Sequence, residues 1–496
     1  MLSSGRMHLY GLEQEETSLS RGETSSMNRA AMSSLRTPQI PIGVLTDNEL
    51  LLGGIVGGKR VLQSRLLPLE THELSDLLEY LWQQEVTSVW VLPGSQLSER
   101  VTSDWLKQVN SRWTALVHPA PTTPDRPACA LFFPRGQQRR LTLAFPEHAG
   151  WDWKLSDALS LLATVTYLDQ VLAQHMVESP QMSAQQLLTS LTMKESLTQL
   201  RTSPVNLWSL PDREGRPIPF LEGATGMVWM RALTLQEQRQ RYLHKYTFAS
   251  RALRACLDVQ LGAGTPQLSP NGRACDGIHP GIWRVHLDRA GSLFDGKMLP
   301  GCLDQQWVST PQVTCCRTIG YEVQVQEGYS WPESHQVLKP WATFLWQAIE
   351  RIQSQPHHFR HAHARANASE SIKQLADHAI ALLCKPEEEG GWSRPDWWVQ
   401  ILGRKSALLF ADLVPLVRRG TMPVLVHGDA FWTVSADHNP LTAVPGLLSN
   451  QRWNGYTPGY DVPLFLSKEV QALFRGREPV DQVVSQLDNL AGEFFS

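Results

Sequence analysis

The chain of 496 residues lacks the features that mark secreted or membrane proteins. Its seven cysteines are odd in number and form no Cys-x-x-Cys pair, which argues against a disulfide framework and against a zinc site. No run of about 18 apolar residues is present, so no transmembrane span is expected. The amino terminus also lacks the apolar core of a signal peptide. The sequence therefore predicts a soluble cytoplasmic protein with free thiols and no membrane partner.

The chain also lacks an excess of positive charge. Its net charge is −3, because 45 Lys and Arg are outnumbered by 48 Asp and Glu. A protein that binds nucleic acid tightly usually has a basic field, so any contact with DNA must come from local patches. What the chain does have is apolar surface: 42% of its residues are hydrophobic and 18 are Trp. That is enough to fill two or three compact cores.

Composition and hydrophobic pattern divide the chain into four segments. Residues 1–38 are polar and without periodicity, which predicts a disordered tail. Residues 39–175 and 227–496 are the two expected domains, and the Gln-, Ser- and Pro-rich residues 176–226 are a helical connector plus loop. The fold class that we expect is α+β with α/β elements.

The first domain begins with three short apolar runs separated by turns. The expected strands and helices are strands at 40–45, 50–56 and 61–66, a helix from near Thr71, strands at 86–92 and 141–145, and an amphipathic helix over 157–172. This β-β-β-α-β order resembles ribonuclease H, a topology that polymerase proofreading exonucleases share.

A nuclease of that type needs about four convergent carboxylates for two metal ions. Asp47 and Glu49 have the Asp-x-Glu spacing of such enzymes, but they lie in a turn after the first strand, where Asn48 is itself favoured. Asp157 and Asp169 are the other acids within reach, and Asp157 is as well explained by the preference for negative charge at a helix amino terminus. Four convergent carboxylates cannot be assembled from this set.

Residues Val424 to Val434 carry the most informative pattern, Val-Leu-Val-His-Gly-Asp-Ala-Phe-Trp-Thr-Val. Two apolar runs flank Gly428-Asp429, which predicts a β-hairpin with one carboxylate at its tip. The pattern resembles the metal-binding hairpin of DNA polymerase palms, Asp-Thr-Asp-Ser. Asp429 keeps the first Asp, whereas Phe431 stands where the second belongs. One Asp holds Mg²⁺ poorly, and two-metal phosphoryl transfer needs clustered carboxylates.

A second motif lies at Tyr242-Leu-His-Lys-Tyr-Thr-Phe-Ala-Ser-Arg-Ala-Leu. It resembles the first palm motif of family-B DNA polymerases, especially the protein-primed branch, in which a strand ends in Asp-x-x-Ser-x-Tyr. In register, Thr247 replaces the metal-binding Asp, Ser250 keeps the Ser, and Ala252 replaces the Tyr. The alternative ligand is Asp288 at another strand end. Its spacing to the next Ser is one residue too long, and such a shift reverses which side chains face the site.

Residues 363–384 resemble the fingers motif Lys-x-x-x-Asn-Ser-x-Tyr-Gly, whose Lys contacts the incoming triphosphate. By this resemblance Lys373 is the phosphate contact, but Asp377 replaces the Asn and would neutralise Lys373. The alternative is an exposed Lys373–Asp377 ion pair. Arg360 and Arg365, among neighbouring histidines, form a basic stretch that contacts backbone phosphates or is simply a solvated loop and helix start.

The order of these motifs, with helices at 338–352 and 394–417, supports the resemblance over about residues 228–465. The resemblance implies a degenerate family-B DNA polymerase with a ribonuclease-H-like domain. Its role would be non-catalytic, holding DNA or a protein partner in a mobile genetic element, and Mg²⁺ at Asp429 is expected only if activity remains. Two alternatives stay open. One is a weakly active DNA polymerase that uses Asp288 and Asp429, and the other is an α/β protein-interaction module with no nucleic-acid role.

Overall fold

The structure is a computed structural model that describes most of residues 42–493. The ranges outside the description within that span are 57–58, 68–72, 121–122, 138, 152, 154, 156, 173–178, 193–206, 208–209, 219–227, 249, 289–306, 355–361, 385–392, 445–455, 461 and 476–477. The expected tail at 1–38 lies outside the described residues.

The first part of the chain forms a seven-stranded mixed sheet. Its strands are β1 (Ile42–Leu45), β2 (Glu49–Val56), β3 (Lys59–Leu66), β4 (Ser88–Val91), β5 (Trp113–Pro119), β6 (Pro127–Pro134) and β7 (Leu141–Ala144). Their order across the sheet is β3-β2-β1-β4-β7-β6-β5. β1 pairs antiparallel with β2 and parallel with β4, and β4 pairs parallel with β7. The strands β1–β4 and β7 thus have the order and directions of the ribonuclease-H topology, as expected.

In the described part of the chain, six helices accompany this sheet: α1 (Leu74–Gln83), α2 (Gln96–Arg100), α3 (Ser103–Lys107), α4 (Pro146–Ala149), α5 (Ala158–Leu172) and α6 (Pro180–Thr192). Successive strand residues point to opposite faces, so the buried strands feed two cores. Val44 packs in the core of α5, whereas Leu45 packs in the core of α1. Helix α1 begins at Leu74 with Glu73 as its N-cap, and Thr71, near which the cap was expected, lies outside the described residues. One expectation needs correction, because the hairpin β5–β6 was not predicted.

In the second part of the chain, strands and helices alternate. Its strands are β8 (Val228–Met230), β9 (Tyr242–Phe248), β10 (Leu261–Ala263), β11 (Gln267–Ser269), β12 (Gly281–Asp288), β13 (Trp307–Ser309), β14 (Glu322–Ser330), β15 (Glu333–His335), β16 (Leu425–His427), β17 (Ala430–Ser435), β18 (Tyr456–Pro458) and β19 (Leu464–Phe465). Its helices are α7 (Arg251–Cys256), α8 (Thr310–Thr318), α9 (Lys339–Ser354), α10 (Ala362–Leu382), α11 (Pro395–Arg418), α12 (Pro440–Ala443), α13 (Lys468–Leu473) and α14 (Val480–Glu493). Among the described residues, no helix is both long and apolar enough to cross a bilayer.

The sheet that positions the site has the order β18-β9-β17-β16-β8, and β19 also pairs with β9. Helices cover both of its faces. On one face, Phe431 packs in a core with Phe410 of α11. On the other face, Trp432 packs in a core with Val483 and Leu487 of α14. The expected sequence of two helices, a long helix and a hairpin is present as α9, α10, α11 and β16–β17.

The two parts of the chain share one large core. It contains residues of α5 and α6 together with residues of α7, α9 and α10. Trp153, after the first sheet, donates its indole N–H to the Ser371 hydroxyl of α10 at 2.6 Å. Helix α6 falls within the expected connector at 176–226, and it packs against α10. The mixed architecture confirms the α+β fold class.

Candidate functional site

The hairpin β16–β17 carries Asp429 at its tip. His427 pairs with Ala430, so Gly428 and Asp429 form a two-residue turn. Gly428 has a φ of 57°, which glycine adopts without steric cost and which hairpin turns of this length require. The amide of Phe248 donates to the carbonyl of Asp429 at 2.9 Å. The turn therefore lies beside the end of β9, where the sequence places the first palm motif.

The carboxylate of Asp429 is bound by two cationic side chains. Nη1 of Arg251 lies 3.2 Å from Oδ1, and Nζ of Lys405 lies 2.9 Å from Oδ2. The side chain of Arg251 is 0% exposed, and Asp429 keeps only 27% of its surface. The Arg251 guanidinium also lies 4.8 Å from the centroid of the Phe248 ring. Both carboxylate oxygens thus have a charged donor from the protein itself.

The junction between β9 and α7 directs Arg251 toward Asp429. Ser250 is the N-cap of α7 and has a φ of 65°, in the left-handed region. This conformation is uncommon for a residue other than glycine. The Ser250 hydroxyl is buried and has no hydrogen-bond partner among the described residues. Ser250 therefore forms a strained corner between β9 and α7, and Arg251 follows it directly.

A second acid, Asp377 of α10, belongs to the same cluster. Desolvation by the surrounding protein raises the pKa of Asp377 to about 6; Lys405 opposes this shift, and the negative charge of Asp429 adds to it. Part of the Asp377 side chain nevertheless stays exposed. Solvent at that edge screens the interaction, so its cost in free energy is smaller than the raised pKa alone implies.

This set of side chains does not fit a divalent metal ion. Mg²⁺ requires several oxygen ligands in near-octahedral geometry, and two-metal transfer requires clustered carboxylates. Here an ammonium group and a buried guanidinium hold the oxygens that would bind the ion. In the part of the chain that the structure describes, no group of three or more His, Cys, Asp or Glu is placed to hold a metal.

Thr247 and Asp288, the two candidates for the first palm position, lie in different sheets. Thr247 pairs with Ala430, the residue after Asp429. Its hydroxyl packs closely against Gly459, since a Cβ at that glycine would lie only 2.8 Å from the Thr247 oxygen. Asp288 is exposed at the end of β12, opposite Glu322, in the four-stranded sheet β11-β14-β12-β13. The structure thus places Thr247, and not Asp288, on the strand next to Asp429.

The expected phosphate contacts on α10 are placed differently from the sequence interpretation. Lys373 pairs with Glu370, one turn before it in the helix, at 2.9 Å, rather than with Asp377, one turn after it. Asp377 instead joins the group around Lys405 and Asp429. Arg365 is half-buried within α10, and Arg360 lies outside the described residues. Whether any of the three binds phosphate stays a prediction.

The acids of the first sheet serve as local hydrogen-bond acceptors. Asp47 accepts from the amide of Gln96 at 2.7 Å, and Glu49 accepts from the Ser64 hydroxyl at 3.1 Å. Asp157 accepts from the amide of Ser160 at 2.7 Å, as expected for an acid at a helix amino terminus. Strand β1 itself reads Ile-Gly-Val-Leu and carries no acid.

Sequence reasoning missed Arg251 and Lys405, the two partners of Asp429. Arg251 stands within the quoted motif, directly after Ser250, and Lys405 lies in the middle of the expected helix at 394–417. An isolated acid at a hairpin tip needs a compensating charge when it is partly buried. That requirement points to cations on the elements expected beside the hairpin, and both residues meet it.

Comparisons with known proteins give only a distant structural likeness. No protein-family model and no curated protein matches the chain. Among solved structures, it is similar to Phi29 DNA polymerase complexed with primer-template DNA, with 8% sequence identity, 84% of each chain covered and a TM-score of 0.45. The same polymerase complexed with single-stranded DNA gives 8% identity, the same coverage and a TM-score of 0.44. A likeness of this size carries no conclusion about the residues around Asp429.

Proposed function

We propose that this protein is a polymerase-like scaffold that binds nucleic acid without transferring nucleotides. The observation that carries the proposal is the ion-pair cluster at the hairpin tip. Asp429 lies where a palm hairpin would present a metal ligand, but Arg251 and Lys405 neutralise its charge. Protein cations take the place that divalent ions would need.

Metal binding at Asp429 would have to displace both partners. A divalent ion there would be repelled by the ammonium of Lys405 and the guanidinium of Arg251. Arg251 is fully buried, and a buried charge that loses its partner is strongly unfavourable. The ion pairs therefore oppose the loading of a metal, in addition to the loss of the second carboxylate at Phe431.

The binding role is supported by the parts of the arrangement that are retained. The hairpin, the long helix α11 and the helices α9 and α10 keep the order that a polymerase-like module would have. The departures from the polymerase-like motifs are at the side chains that would bind the metal ions for nucleotide transfer. DNA as the partner and a mobile genetic element as the setting are expectations from the resemblance, and we carry them into this proposal.

Primer extension and DNA binding together test the proposal. The protein is incubated with a primed template, nucleotides and either Mg²⁺ or Mn²⁺, beside an Asp429→Ala variant. We expect no extension above that variant, and we expect DNA binding that weakens as salt rises, because phosphate contacts release counterions. Synthesis that depends on Asp429 would refute the loss of chemistry. Absence of salt-dependent binding would favour the protein-interaction module instead.

A further inference from the structure

Four arginines meet at one end of the first sheet. They are Arg112, before β5, Arg135, after β6, and Arg139 and Arg140, before β7. The amide of Arg135 donates to the carbonyl of Arg112 at 2.9 Å, and Phe132 of β6 pairs with Leu141 of β7. Strand pairing therefore brings these arginines to the same end of three neighbouring strands. We refer to Arg112, Arg135, Arg139 and Arg140 as the arginine patch.

The patch is only partly neutralised by the acids near it. Arg112 forms an ion pair with Glu79 of α1 and still keeps 50% of its side chain exposed. Arg135 and Arg140 are both exposed. Among the described residues, the Arg112–Glu79 pair is the one ion pair that the four arginines form, so the patch is a local basic surface on a chain whose net charge is −3.

Two tryptophan rings position Arg139, one member of the patch. The guanidinium of Arg139 lies 4.5 Å from the centroid of Trp82, and Trp82 meets Trp113 edge to face at 5.6 Å. Stacking of this kind pre-orients a guanidinium. Nη2 of Arg139 is buried and has no hydrogen-bond partner among the described residues. An anion bound at the patch would supply acceptors to a group that the fold leaves with an unsatisfied donor.

We propose that the arginine patch binds the phosphodiester backbone of nucleic acid. All four cations are arginines, whose planar fork matches phosphate oxygens in a bidentate manner and is only weakly hydrated. Arg135 and Arg140 are exposed on either side of the turn at Gly136, where φ is 75°. The partner class rests on the proposed function, whereas the location does not.

The patch is separate from the sites considered above. It lies at the amino-terminal end of β7, whereas Asp47 follows the carboxyl-terminal end of β1, at the opposite edge of these parallel strands. It also shares no strand with the hairpin that carries Asp429. Nucleic acid bound at the patch would lie on the first domain and would leave the ion pairs at the tip of the β16–β17 hairpin unchanged.

Charge reversal tests the patch against a matched control. The test variant is Arg135→Glu with Arg140→Glu. The control is Arg65→Glu with Arg100→Glu, which makes the same change in net charge at exposed positions of the same domain. Binding of a fluorescent single-stranded DNA is measured by anisotropy at about 50 to 200 mM NaCl. Thermal midpoints of all three full-length proteins show whether they fold alike.

We expect the test variant to bind at least about tenfold more weakly than the control at the lower salt. Its log–log salt slope should also be smaller by about 1.4, because each lost phosphate contact on a single strand removes about 0.7. The control should bind as the unchanged protein does.

Three outcomes would overturn the inference in different ways. Equal binding by the test variant and the control removes the patch but leaves the proposed function standing. No salt-dependent DNA binding by the unchanged protein removes both. Tighter binding of a labelled poly-glutamate than of DNA, lost in the test variant, identifies an acidic protein as the partner and removes nucleic acid.

Discussion

Replacing Asp429 with Asn separates a structural ion pair from a metal-binding carboxylate. Arg251 is 0% exposed and Asp429 27% exposed, so the substitution removes the negative charge that pairs with a buried guanidinium. Removal of one partner of a buried pair costs about 3–5 kcal/mol. Because Asp429 and Lys405 each keep about a quarter of their surface, we expect a cost at or below the lower end of that range, about 2–3 kcal/mol.

The opposite result is expected of a carboxylate in a metal cluster. There the acids repel one another in the absence of metal, so removing one leaves stability unchanged or raises it. Thermal unfolding of the metal-free protein distinguishes the two cases. A folding unit of about 150–250 residues loses about 2–4 °C in its thermal midpoint per kcal/mol, so the Asp429→Asn midpoint should fall by roughly 5–10 °C.

Two further variants make this test specific. Asp104→Asn breaks an exposed ion pair with Lys107, in which Asp104 is 89% exposed, and it should leave the midpoint unchanged. Arg251→Met in the Asp429→Asn background removes the uncompensated charge and should recover part of the loss. A midpoint for Asp429→Asn at or above that of the unchanged protein would refute the reasoning.

Three other substitutions have expected outcomes. Because Asp377 has a folded pKa raised from 3.8 to about 6, its contribution to stability should fall as pH rises through that window. Asp377→Asn should abolish this slope in urea midpoints and stabilise the protein at pH 7 by at most about 1 kcal/mol. An unchanged slope would contradict this. Gly262→Ala places a Cβ 2.3 Å from Cγ of Trp331 and should cost at least about 1–3 kcal/mol, with partial recovery in a Trp331→Leu background; a neutral result would count against the packing. Lys405→Met leaves Asp429 paired with Arg251, so its midpoint should fall by less than that of Asp429→Asn; a larger fall would reverse the assigned order of the two partners.

The regular elements were largely predictable because their signals are local. The apolar run and tight turn at 424–434 fix the hairpin, and the leucines of 74–81 fix the buried face of α1. The hairpin β5–β6 was missed, and its second strand both begins and ends with proline, a residue that is unfavourable in strand interiors. Its two strands are the outermost at one edge of the sheet and join it only through the pairing of β6 with β7, which no local pattern shows.

The site was predictable in position but not in chemistry. Strand alternation and the motif order place Asp429 beside the end of β9, as the structure has it. The two partners of Asp429, Arg251 of α7 and Lys405 of α11, are 154 residues apart in the chain, so their meeting depends on tertiary packing. The sequence likewise left the partner of Lys373 open, and the structure pairs it with Glu370. Helical spacing allows both i,i+3 and i,i+4 partners, and the approach of Lys405 draws Asp377 into another cluster.

Manganese binding followed by electron paramagnetic resonance tests the central claim most directly. Mn²⁺ is titrated into the unchanged protein and into Asp429→Ala, and the free ion signal is compared. Because Arg251 and Lys405 already neutralise Asp429, the two proteins should leave the same amount of Mn²⁺ free at every concentration. Mn²⁺ binding that is lost in Asp429→Ala would show that the hairpin still binds metal through Asp429, and would contradict the account.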